Sequence, residues 1–104
     1  MLIQEQLQTL AQLYQHGPVS DVTSRTLTKL LQYEAALCQQ QLQQLYQDLV
    51  MFEQQYHLTS TEFYQRYQIG QMGDEMDFIE WASLVQMVNN LQRRGQILAQ
   101  LKVL

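Results

Sequence analysis

The stretch S-R-T-L-T-K-L-L-Q-Y-E-A-A-L-C-Q-Q-Q-L-Q-Q-L-Y-Q-D-L-V-M-F-E-Q-Q-Y-H, residues 24–57, contains no Gly or Pro. Within it Leu31, Ala35, Cys38, Leu42, Leu45, Leu49, Phe52 and Tyr56 recur at alternating spacings of four and three. Such a heptad seam belongs to a helix whose apolar stripe packs along another helix. At about 1.5 Å per residue the helix is about 50 Å long. A compact domain of this size is only about 33 Å across, taking twice the expected radius of gyration as its width. The excess predicts a partner, most simply a second copy meeting this one along Leu31, Ala35, Cys38, Leu42, Leu45 and Leu49.

The rest of the chain is read outward from this helix. Upstream, Ile3, Leu7, Leu10 and Tyr14 repeat the spacing four, three, four, so a first helix near 2–15 is amphipathic and predicted to fold against the others. Gly17-Pro18 ends it, because Gly permits a left-handed turn and Pro cannot continue the ladder. Ser20 and Asp21 are candidate caps for the long helix, but the β-branched Val22, Thr23, Thr26 and Thr28 delay commitment to helix and leave its start anywhere between Ser20 and Leu27, about residue 24.

Downstream, Leu58-Thr59-Ser60-Thr61-Glu62-Phe63 reads as a capping box, with Thr59 as N-cap, Glu62 three residues on, and Leu58 and Phe63 as the staple. A short helix near 60–69 follows, stopped by Gly70. After Gly73, Asp74 is a candidate cap for the last helix, near 75–101, whose stripe is Trp81, Leu84, Val88, Leu91 and Leu98, widened by Phe78, Ala82, Val85 and Leu101. Gly95 predicts a bend or fraying near its end. With no repeat, linker or boundary in view, the reading is a single all-α domain over 1–104. It is a helical hairpin built on the heptad-patterned helix, pairing into a homodimeric antiparallel bundle.

Composition narrows the function classes. Glutamine occurs twenty-one times, and every run is interrupted by an apolar residue at helical spacing, so Gln fills helix surface rather than a disordered tract. The net charge is −4 with six cations dispersed along the chain, which disfavours direct nucleic-acid binding and suits a basic protein partner. The lone Cys38 excludes an intrachain disulfide, and as a seam residue it reads as a small apolar side chain. No membrane-spanning stretch and no secretory leader are legible, so residence is expected in the cytoplasm.

Candidate chemistry is sparse. Asp74, Glu75, Asp77 and Glu80 crowd the start of the last helix, where the dipole favours negative charge. Asp77 and Glu80 also have the spacing used by helical metal-dependent nucleotide hydrolases, with Asp74, Asp77 and Glu80 as the weak metal candidates, but Glu34 and Glu53 lack the second pair that such sites need. His16 and His57 stand at helix ends, and Cys38 has no local signature of a nucleophile. No catalytic residue and no cofactor are expected. The aromatic cluster around the two corners predicts core, with Tyr64, Tyr67, Phe78 and Trp81 as candidate anchors for a partner at its rim.

One run carries a family likeness. From Tyr56 to Leu84 the chain reads Y-H-L-T-S-T-E-F-Y-Q-R-Y-Q-I-G-Q-M-G-D-E-M-D-F-I-E-W-A-S-L. It resembles a small prokaryotic family with the pattern Y-G-M-S-S-x-E-F-Y-x-x-F-x-x-G-x-x-G-D-x-x-D-F-x-E-W-x-x-L, and D-L-V-M-F-E before it is similar as well. His57 stands where that pattern has Gly, and Gln71-Met72 replaces a commoner acidic-apolar pair. Members are small, all-helical and often encoded beside a toxin gene of the TumE type. The resemblance implies a non-enzymatic, antitoxin-like partner of a basic, co-encoded toxin. The readings set beside it are a scaffolding homodimer and a metal-dependent nucleotide hydrolase.

Overall fold

The structure, a computed structural model, describes residues 2–100 and is all-helical there. It contains α1 (Ile3–Gln15), α2 (Asp21–Tyr56), α3 (Ser60–Gln68) and α4 (Met76–Leu98). The chain divides into two compact units, Met1–Tyr33 and Glu34–Leu104. The division falls inside α2, so no linker marks it in the sequence.

In the first unit, Gly17 adopts φ 137° at the break between α1 and α2. Ser20 caps α2: its Oγ accepts from the Thr23 amide at 3.2 Å, so the helix begins at Asp21, at the early end of the range the sequence allows. One side-chain bond ties the two helices, Tyr14 Oη to Ser24 Oγ at 3.1 Å. The predicted docking of α1 is not observed as burial, because no residue of α1 is buried and Ile3, Leu7 and Tyr14 of its stripe are exposed.

The second unit is a helical hairpin. Its core consists of Cys38, Leu42, Leu45, Leu49, Phe63, Phe78, Trp81, Ala82 and Val88. The pairing of α2 with α4 is antiparallel: Tyr56 reaches Asp77, Tyr46 meets Gln92, and the Cys38 thiol donates to the Leu91 carbonyl at 3.2 Å. Four of the six residues expected to face a second copy, Cys38, Leu42, Leu45 and Leu49, are therefore covered by this chain itself, while Leu31 and Ala35 stay half-buried. The α4 stripe has the same helical period as the seam and supplies its cover.

α4 continues through Gly95 and ends at Leu98; Leu101 lies outside the described residues. Gly95 faces Cys38 of α2, where an added Cβ would lie 3.8 Å from Sγ, an ordinary contact distance.

Both corners use left-handed residues. At the first, Leu58 N bonds Glu53 O at 3.3 Å and His57 sits at φ 53°. At the second, Gln71 N bonds Arg66 O at 2.9 Å, Gly70 N bonds Tyr67 O at 3.1 Å, and Gly70 has φ 79°. These are Schellman closures, which favour Gly because other residues pay for the left-handed backbone. His57 occupies the position where the resembling pattern has Gly. His57→Gly is thus expected to stabilise the chain by about 1 kcal/mol, read as a higher midpoint in urea with an unchanged slope.

Candidate functional site: the corner end of the second unit

The start of α3 is fixed from two directions. Thr59 Oγ1 accepts from the Glu62 amide at 3.1 Å, as its sequence position predicts. The second acceptor is Glu53, whose Oε2 takes the Ser60 amide at 2.7 Å. Glu53 lies in the last turn of α2, and α3 folds back over it. Leu58 and Phe63, the expected staple, both join the core cluster.

Around that start the aromatic residues assemble. Phe63 and Trp81 stack nearly parallel, with ring centroids 3.9 Å apart. Phe52 stacks on Trp81 at 5.6 Å, and Tyr56 lies 5.8 Å from it. Trp81 Nε1 donates to Ser60 Oγ at 3.0 Å, which satisfies the polar atom of a side chain that is 0% exposed. Phe78 is buried as well. Neither Trp81 nor Phe78 is therefore open to a partner, contrary to their reading as rim anchors. Their ring area is consumed in closing the corner. Tyr64 and Tyr67, also named from the sequence, are half-buried at the edge of the cluster.

The acidic residues are dispersed by the fold. Asp77 Oδ2 accepts from the Tyr56 hydroxyl at 2.5 Å and from Gln55 Nε2 at 3.4 Å, so this carboxylate is held against the end of α2. Asp74 does not cap α4; the N-cap is Glu75, without a side-chain hydrogen bond. Among the described residues no three His, Cys, Asp or Glu side chains gather closely enough to hold a metal ion, and the set Asp74, Asp77 and Glu80 forms no such group.

The Tyr56–Asp77 bond has a measurable signature. Donation to the carboxylate, then burial and the charges of Asp77 and Glu75, push the Tyr56 hydroxyl up to about 12. Only neutral tyrosine can donate here, so the bond's contribution is complete below the ordinary value near 10 and is lost as pH rises through about 12. In an alkaline titration followed by tyrosinate absorbance, one tyrosine of six is expected to ionise late, and Tyr56→Phe is expected to remove that late step.

Clefts flank the corner. A groove of about 440 Å³ has the apolar floor Leu49, Val85 and Val88, with Tyr46, Val50, Tyr64, Asn89 and Gln92 among its walls. Gln92 Nε2 donates to Tyr46 Oη at 2.7 Å, and Gln86 Nε2 donates to Tyr64 Oη at 3.2 Å, so both tyrosines are steadied by amides of α4. A second cleft of about 340 Å³ places Asp48 and Glu80 beside Met51, Phe52, Gln55 and Leu84. Sequence reasoning missed Tyr46, Val50, Asp48 and Met51 as surface features, since their places become neighbours of α3 and α4 only when the hairpin closes.

Among the described residues no helix is long and apolar enough to cross a membrane. No family model, no curated protein and no solved structure matches the chain.

Proposed function

We propose that this chain is a non-enzymatic, cytoplasmic protein-binding module that acts as a homodimer and neutralises a basic, co-encoded toxin. One observation carries the reading. Between residues 48 and 80 lie seven carboxylates and a single cation, Arg66, and these residues build the corner end of the second unit. Carboxylates beside half-exposed tyrosines suit a cationic protein surface, since potentials of opposite sign steer encounter and rigid aromatics anchor contact. The family resemblance of the same segment supplies the toxin as the kind of partner. No cofactor enters this reading, and its dearth of cations leaves nucleic acid without a binding face.

Co-expression with the proteins encoded by the flanking reading frames tests it. A small basic neighbour should co-purify, and its toxicity should vanish when both are made together. If no neighbour co-purifies and none resembles a small toxin, the antitoxin reading fails. The scaffolding homodimer is the second reading, favoured by the uncovered apolar residues of the first unit.

A further inference from the structure

We infer that the hairpin of the first unit is one half of a four-helix bundle, and that its other half is the same hairpin of a second copy of this chain. The inference rests on the homodimer reading above and specifies its surface. Ile3, Leu7, Leu10 and Tyr14 of α1 keep heptad spacing, and Leu27 and Leu31 of α2 stand four apart. None of the six is buried in the single chain. Ile3, Leu7 and Tyr14 are exposed and Leu10, Leu27 and Leu31 only half-buried, so the two amphipathic helices form half a core, and pairing two such hairpins closes it.

Charge decides in favour of a second copy over a basic partner. The first unit carries Glu5, Asp21, Arg25 and Lys29, so its side-chain charges balance, and the whole net charge of −4 belongs to the second unit. A cationic protein gains nothing at a neutral face. Two copies meet there without repulsion, and an isologous contact sets each stripe against one of equal spacing. The carboxylate-rich corner then stays free for the toxin.

Sedimentation equilibrium of the full chain, with Leu7→Lys and Val22→Lys variants, tests the inference. Leu7 is 58% exposed in the single chain, so a lysine there leaves the monomer fold intact, yet it puts an unpaired charge into the proposed interface. Val22 is exposed and lies five positions before Leu27, on another side of α2, so it serves as the control. The expected result is a species of about twice 12.3 kDa for the native chain and for Val22→Lys. Leu7→Lys should associate at least about 100-fold more weakly while keeping the near-ultraviolet circular dichroism of Trp81. A native chain that stays at 12.3 kDa throughout the micromolar range overturns the homodimer reading and this surface together. A native dimer that Leu7→Lys leaves equally tight overturns this surface alone.

Discussion

Trp81→Ala is expected to cost about 3–5 kcal/mol. Three effects act together. The indole is fully enclosed, so its removal leaves a cavity among Phe52, Tyr56 and Phe63 that the helices can close only in part. The stacked contacts with Phe63 and Phe52 disappear as well, each worth about 0.5–1.5 kcal/mol beyond area burial. Ser60 Oγ also loses its donor at the first turn of α3. A domain of this size has about 5–15 kcal/mol in total, so the variant should be largely destabilised at modest urea concentrations. Ser60→Ala separates one part of this loss, since it keeps the ring and orphans a buried N–H, a change of about 1–3 kcal/mol. Urea titration read by far-ultraviolet circular dichroism decides the matter; a loss below about 1 kcal/mol for Trp81→Ala contradicts the packing described, because cavities of this kind never cost so little.

The corners were legible because their signals are local. Ser20 and Thr59 cap with their own hydroxyls, and Gly70 closes α3 in a left-handed conformation that the missing Cβ leaves free of strain. Features made by distant residues were not. Glu53 caps α3 across the first corner, and nothing near Ser60 in sequence announces it. Gly95 reads locally as a bend or fraying point, since propensity is a local quantity, yet the neighbour that faces it, Cys38, belongs to a helix more than fifty residues away in the chain. At the candidate site the aromatic cluster was visible, but its division into closed and open rings was not. Spacing along α3 and α4 cannot tell that Trp81 lies flat against Phe63 while Tyr64 stays at the groove, because that depends on how α3 is rotated over α2.

The heptad seam gives the sharpest case, and Leu45→Lys tests it. Period alone states that a stripe is covered and is silent about what covers it; α4 and a second copy are equivalent answers until the chain is folded. In the folded chain Leu45 is buried within the core of the second unit. Leu45→Lys therefore removes a packed leucine and leaves an unpaired ammonium among Leu42, Leu49 and Val88, a loss expected to exceed about 4 kcal/mol. The decisive feature is the kind of failure. If α4 covers the seam, helicity and the Trp81 signal are lost together at every protein concentration, because the damage is intramolecular. If a second copy covered Leu45, the variant would instead be a folded monomer with its Trp81 signal intact. Leu7→Lys is expected to behave in that second manner, so the two substitutions, alike in chemistry, separate the stripe that builds this chain's own core from the stripe left for another.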